Sequence, residues 1–190
     1  MKQAICSITT KSHVFKSLAL AESIHEIDSD IAFCLLIVDA AKTEVENISY
    51  KKGKIIIFII NDVLFDKTAQ KIAQKYQAKT DYLRWSLKSI FLIFLLQNEN
   101  YDAVFYCDND LYFCDDFSFL MDDLKNYAVL LTPHYYCFNP EKKQIWLEAN
   151  FRSGLYNAGF IGVNKNAISV LSWWAKCCLY RCERKYTHGL

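Results

Sequence analysis

Ala103-Val104-Phe105-Tyr106-Cys107-Asp108-Asn109-Asp110-Leu111-Tyr112-Phe113 is the stretch on which the reading of this 190-residue chain turns. Its opening residues are apolar or aromatic without a break, as in a buried strand, and the run stops abruptly at two acids. In an open α/β sheet, ligands collect just beyond the carboxyl ends of the strands. Two carboxylates one residue apart point the same way where the backbone stays extended, with Asn109 pointing away. Paired hard oxygens at Asp108 and Asp110 suit Mg²⁺ or Mn²⁺, which keep waters and complete their shell with substrate phosphates. The stretch therefore reads as a metal–diphosphate site.

Outward from it, strand and helix patterns alternate. Gln3–Ile8 is an apolar strand ending at Thr9-Thr10, and Ser12 is expected to cap a helix with the stripe Phe15, Leu18, Ser23 and Ile24. Ile31–Val38 and Lys54–Ile60 read as further strands, with a short helix at 42–47 between them and another at 66–76 after them. Asp81–Gln97 reads as one long helix with Leu83, Leu87, Ile90, Phe91 and Phe94 inward and Arg84 and Lys88 four apart on one face. After the acids come a short helix at 117–125 and a strand at 127–131. A loop over 132–148 follows, then a glycine-containing strand at 157–163. Asn164 then caps a helix with the stripe Ile168, Leu171, Ala175, Cys178 and Cys182. This order predicts an α/β fold, a three-layer α/β/α domain with a mostly parallel central sheet. The first strand–helix turn lacks G-x-G-x-x-G, which speaks against an ordinary dinucleotide-binding fold.

Composition narrows the classes. The chain is 53% hydrophobic, yet its apolar runs fall well short of the roughly 18 residues of a spanning helix. Met1-Lys2 is followed by too short an apolar stretch for a signal peptide. A net charge of +1 gives no electrostatic case for nucleic acid. Eight cysteines form no C-x-x-C pair, and Cys6, Cys34 and Cys107 fall in predicted strands, so free thiols in a reducing compartment are expected rather than zinc or disulfides. The expected location is cytoplasmic, with at most peripheral contact at the inner membrane face through Lys176, Arg181, Arg184 and Lys185, for which a solvated helix end is the plainer account.

Several readings compete for the acid pair. A Ca²⁺ loop starting at Asp108 would need Gly at Phe113 and Glu at Phe119. An aspartyl-phosphate phosphatase would need a hydroxyl residue where Tyr112 stands. An ordinary acidic turn after a strand is the bland alternative.

The run Leu87-Lys88-Ser89-Ile90 followed by Tyr101 through Asp110 resembles the helix–strand–D-x-D segment of GT-A-fold nucleotide-sugar glycosyltransferases. Tyr156-Asn157-Ala158-Gly159-Phe160-Ile161-Gly162-Val163-Asn164 is similar to the N-(A/S)-G block of their family 8-like retaining branch. The resemblance runs from about residue 3 to 183. It implies a single GT-A-like domain over 1–190 that transfers a hexose from a nucleoside-diphosphate sugar, UDP foremost, to a saccharide or glycolipid acceptor. By analogy the acceptor belongs to a surface glycan such as lipopolysaccharide or capsule.

The resemblance also assigns residues. Asp108 and Asp110 would hold Mn²⁺ or Mg²⁺ against the donor diphosphate. Lys88 would reach the phosphates or the sugar, with Arg84 second, although a solvated helix face would explain Lys88 as well. Thr9, Thr10 and Asn109 would hold the nucleotide. Asn157, Ala158 and Gly159 would line the sugar. The family's later His-containing metal block has no counterpart, since the chain stops just after His188, so a C-terminally short domain is expected and His188 is not given that role. No catalytic base is assigned. Retention needs none from the protein, and inversion would draw on Asp115, Asp116 or Glu148. His134 and Tyr135 are candidates for stacking on an acceptor sugar. The alternatives to transfer are a non-catalytic nucleotide-sugar-binding domain and a metal-dependent phosphatase.

Overall fold

A computed structural model describes residues 1–134, 148–149 and 154–182. The strands are β1 (Gln3–Thr9), β2 (Ala32–Ile37), β3 (Ile55–Ile59), β4 (Ala103–Cys107), β5 (Val129–Pro133) and β6 (Tyr156–Asn164). The helices are α1 (Val14–Ile27), α2 (Lys42–Val45), α3 (Lys67–Tyr76), α4 (Thr80–Ser86), α5 (Lys88–Gln97), α6 (Ser118–Asn126) and α7 (Ile168–Tyr180). The strands form one sheet in the order β3-β2-β1-β4-β6-β5, with only β6 antiparallel to its neighbours. The mostly parallel α/β/α architecture expected from the alternation is the one present.

Period-two alternation along β1 sorts the core. Ala4, Cys6 and Ile8 pack with α3, α5 and α7, whereas Ile5 packs with α1 and α6 on the other face. Both faces are covered, so β1, β2 and β4 are apolar throughout instead of alternating with polar residues. The chain winds outward from β1 to β2 and β3, then crosses back to place β4 on the other side of β1. That reversal opens a crevice beyond the carboxyl ends of β1 and β4, the usual ligand position in open α/β sheets. Thr9-Thr10 and Asp108 sit at its two lips.

Local corrections follow from single residues. The helix expected over 81–97 is two, parted at Leu87, whose ψ of −4° interrupts the helical path although bonds from the N–H groups of Leu87 to Leu83 and of Phe91 to Leu87 flank the break. Ser12 does not cap α1. It lies in a 3-10 turn over Lys11–His13 and its hydroxyl turns to Thr10 and His13, so α1 starts two residues later without a side-chain cap. The α1 stripe is shifted too: Phe15 is 65% exposed, and Ser17, Leu20, Ala21 and Ile24 go inward. β5 runs over 129–133 rather than 127–131, because the Tyr127 N–H still closes the last turn of α6, and Thr132 and Pro133 therefore belong to the strand, not to the loop. The rest of that loop, Tyr135 included, lies outside the described residues apart from His134 and Glu148. Asn164 caps the 3-10 turn Lys165–Ala167 rather than α7 itself, accepting from the Asn166 N–H, while α7 starts after Ala167 without a side-chain cap; Asn164 also donates to the carbonyls of Leu124 and Tyr127.

Candidate functional site at the carboxyl ends of β1 and β4

β4 delivers Tyr106 and Asp108 to one side of the sheet, two residues apart. The Tyr106 hydroxyl donates to Asp108 Oδ1 at 2.7 Å, and Lys88 Nζ donates to the same oxygen at 2.8 Å. Burial, reinforced by the adjacent Asp108 charge, pushes the Tyr106 phenol far above its ordinary value, so it stays a donor at all physiological pH. Lys88 is 5% exposed, which removes the solvated-face account of it. The break at Leu87 makes it the first residue of α5, and its ammonium also donates to the Ala158 carbonyl at 3.0 Å while lying 4.7 Å over the Tyr106 ring. Lys88 is thus a buried cation whose bonds join the first acid to the Asn157–Gly159 block.

That block is held against the acid from the other side. The Asp108 N–H donates to the Gly159 carbonyl at 2.8 Å, and Asn157 Oδ1 accepts from the Gly159 N–H at 2.8 Å. A Cβ on Gly159 would stand 2.7 Å from Asp108 Oδ2, so glycine here permits a close approach to the carboxylate. Ala158 itself is exposed.

The acids leave the strand in a turn, not in extended form, with the Leu111 N–H donating to the Asp108 carbonyl at 3.2 Å. Asn109 accordingly does not point away from the pair: it lines the same cleft, and its Nδ2 donates to Thr9 Oγ1 at 2.9 Å. Thr9 is 0% exposed, with its hydroxyl between Asn109 and the Thr10 carbonyl, so it sets Asn109 in place from beneath. Thr10 Oγ1 lies 3.0 Å from both Ser12 Oγ and His13 Nδ1.

The resulting cleft encloses about 260 Å³. It is lined by Tyr106, Asp108, Asn109 and Asp110, by Arg84 and Trp85 of α4, and by His13 and Lys16. Sequence reasoning had missed Tyr106, Trp85, His13 and Lys16. Tyr106 was findable, since a residue two before Asp108 on a strand shares its face. The other three depend on how α1 and α4 pack, which no spacing encodes. Arg84 spends one terminal nitrogen on Asp81 at 3.1 Å, and its buried Nε meets no partner among the described residues.

The donor set fits a hard divalent ion. Asp108 keeps Oδ2 clear of hydrogen bonds and Asp110 is exposed and unpaired among the described residues. Among those residues no cluster of three or more His, Cys, Asp or Glu is arranged to hold a metal, so waters and phosphate oxygens would complete the shell. Of the other acids considered, Asp115 Oδ1 accepts from the Asp116 N–H, and Asp116 is held low by the Ser118 hydroxyl and N–H; both serve the entry to α6. His134 Nδ1 lies 3.1 Å from the Gly154 carbonyl. Tyr135, Arg184, Lys185 and His188 lie outside the described residues. Among the described residues Cys6, Cys34, Cys107, Cys114, Cys177, Cys178 and Cys182 are free thiols, and no helix is long and apolar enough to cross a membrane.

No protein-family model matches the chain. Among curated proteins it resembles two from Bacillus subtilis, the uncharacterized YfnF, 27% identical across all of this chain, and the uncharacterized YfnD, 25% identical across 96% of it. The chain spans about 60% of the length of these relatives (62% and 58%). Among solved structures it superposes on mouse xyloside xylosyltransferase 1 with a TM-score of 0.56 at 13% identity, covering 94% of this chain and 72% of that one. The apo form of the glycosyltransferase GlyE of Streptococcus pneumoniae gives 0.55 at 16% identity, covering 100% and 41%. The mannosyltransferase Ktr4p of S. cerevisiae gives 0.50 at 8%, covering 97% and 62%. The chain therefore has the GT-A-like fold that these glycosyltransferases share.

Proposed function

We propose that the chain is the nucleotide-sugar-binding part of a metal-dependent glycosyltransferase. It would move a hexose, from a UDP-sugar foremost, to a saccharide or glycolipid acceptor. One observation carries this reading: Asp108 and Asp110 open together into a cleft at the switch point, with buried Lys88 and Gly159 fixing the first of them. Asp108 Oδ2 and Asp110 would hold Mn²⁺ or Mg²⁺, whose charge would stabilise the leaving diphosphate. The protein groups do the rest. Tyr106 and Lys88 hold the Asp108 carboxylate in one orientation, so little reorganisation is left for the moment of binding. Asn109, set by Thr9, presents a polar edge beside the acids for the nucleotide. The Asn157–Gly159 block, bonded to Asp108, would line the sugar as the family resemblance implies. The retaining course, in which the departing phosphate takes the acceptor proton, comes with the family resemblance of the Asn157–Gly159 block. A bacterial surface glycan is the acceptor class this reading carries by analogy.

The test is calorimetric titration with UDP, GDP, CDP and ADP, each with Mn²⁺ and again with EDTA. One nucleotide is expected to bind tightly only with metal. Asp110→Asn is expected to abolish that metal-dependent affinity with an unchanged melting curve, and unchanged affinity in this variant refutes the assignment. Turnover of the matching nucleotide-sugar then separates a transferase from a pure binder, which would retain affinity and release no sugar.

A further inference from the structure

Lys16 and His13 each bring to the cleft a nitrogen that no described residue engages. Lys16, on the first turn of α1, is exposed, lines the cleft and makes no ion pair among the described residues. His13, one turn earlier, has Nδ1 held at 3.0 Å by both Thr10 Oγ1 and Ser12 Oγ. Nε2 makes no hydrogen bond among the described residues, and a hydroxyl donating into Nδ1 would leave the ring proton on Nε2. The hydroxyls thus hold the ring by Nδ1 and leave Nε2 unengaged at the cleft that the Lys16 ammonium also lines. Both line the same space as Asp110, whose carboxylate is likewise unpaired among the described residues. A fold gains little from a cation and an anion that share a solvated cleft without meeting. The arrangement makes sense when an anion enters, engaging Lys16 directly and Asp110 through a metal.

Resting on the nucleotide-sugar reading above, we propose that Lys16 and His13 grip the donor's diphosphate directly. They form an arm on the α1 side that works without metal, opposite Asp108 and Asp110. Lysine binds phosphate as a point charge and an imidazole N–H adds a directed donor. The two halves of the cleft then differ in sign of response. The α1 arm attracts phosphate in every condition, while the bare carboxylates repel it until a cation covers them.

The experiment is calorimetry of inorganic pyrophosphate and of the nucleoside diphosphate that wild type binds best, in Mn²⁺ and in EDTA, on Lys16→Ala, Lys16→Arg, His13→Ala, His13→Gln and Asp110→Asn. Wild type is expected to retain weak binding in EDTA. Lys16→Ala is expected to weaken binding about fivefold in both conditions, with Lys16→Arg restoring it. His13→Ala should act alike and more mildly, and His13→Gln, which keeps an amide donor, should recover part of the loss. Asp110→Asn should lose the metal-dependent part and yet bind pyrophosphate more tightly than wild type in EDTA. Both side chains are exposed, so melting curves should coincide with wild type. Equal affinities for wild type, Lys16→Ala and His13→Ala overturn the grip. So does the loss of all wild-type binding in EDTA while Mn²⁺-dependent binding persists; both results leave the donor-site reading standing. Absence of nucleotide and pyrophosphate binding by wild type in every condition refutes both.

Discussion

Gly159 carries no side chain, and the space where one would sit is already taken. Asp108 Oδ2 lies 2.7 Å and Asn157 Oδ1 3.0 Å from the position of a Cβ there. Both neighbours are ends of side chains, so Gly159→Ala is expected to fold with a melting temperature near wild type. The displacement instead falls on the carboxylate that Tyr106 and Lys88 orient, and moving a ligand's support typically costs about tenfold or more in metal affinity. Mn²⁺-dependent nucleotide affinity should therefore drop about tenfold or more in this variant, read by titration beside a thermal melt. A variant that melts early with intact affinity would make Gly159 a packing residue only. At this scale the sequence is informative where chemistry is carried by residue type: two acids after an apolar run, and Gly159 two residues after Asn157 in a strand that also holds Gly162. Exposure is what residue type leaves open. A solvated helix face would explain Lys88 as well as a phosphate contact would while periodicity treats 81–97 as one helix, and only its burial at the head of α5 removes that account; likewise the burial of Thr9 beneath Asn109 leaves no mark on its neighbours in the sequence.

At the scale of elements, the decisive feature is the junction at Leu87, which starts α5 with a lysine turned inward. Leu87 is fully buried and a good helix former, so nothing in its identity announces a break. α5 is buried on every side from Lys88 to Leu96, and a helix apolar all round gives no stripe from which to read its rotation. A second junction ties the opposite ends of the same strands. Asp102, just before β4, accepts from the Lys2 N–H at 2.8 Å and from Lys165 Nζ at 2.9 Å, joining the starts of β1 and β4 to the turn that enters α7. The Lys165 ammonium first, and the Lys2 N–H next, hold the Asp102 carboxyl below its ordinary value. A depressed carboxylate contributes stability above its unfolded-state value, about 3.9, and loses it as pH falls through the lower folded value. Asp102→Asn is therefore expected to lower the melting temperature by a constant amount from about pH 7 to pH 5, with the gap to wild type closing below about pH 4. A gap independent of pH down to acid unfolding would assign the loss to shape and not to charge. Because the group is exposed, salt should narrow the gap as well.

For the whole molecule, the order β3-β2-β1-β4-β6-β5 turns separate stretches into one site. Thr10 and Asp108 are nearly a hundred positions apart in the chain, and only the crossover that sets β4 beside β1 brings them to one crevice. Alternation predicted a parallel, doubly covered sheet, since each strand's composition records its burial, but strand order is a property of pairs and was not legible. The same double coverage fixes the state of the thiols. Cys6 on β1 pairs in register with Cys34 on β2, and both lie with Cys107 in the sheet's interior. Burial pushes the Cys34 thiol up to about 12 and raises those of Cys6 and Cys107 likewise. Cys114, after the acid turn, is exposed. At about pH 8 a disulfide reagent such as dithionitrobenzoate needs a thiolate it can reach. Cys114, being exposed, is expected to be labelled first, well ahead of the buried three. Cys6, Cys34 and Cys107 should react only as fast as the sheet opens globally, and together, because no strand of a sheet covered on both faces can expose its thiol alone. Peptide mapping of the labelled protein over time reads each rate separately. If Cys34 were labelled well ahead of Cys6 and Cys107, β2 and β3 would open as a unit of their own, and the crevice between β1 and β4 would rest on the inner strands rather than on the sheet as a whole.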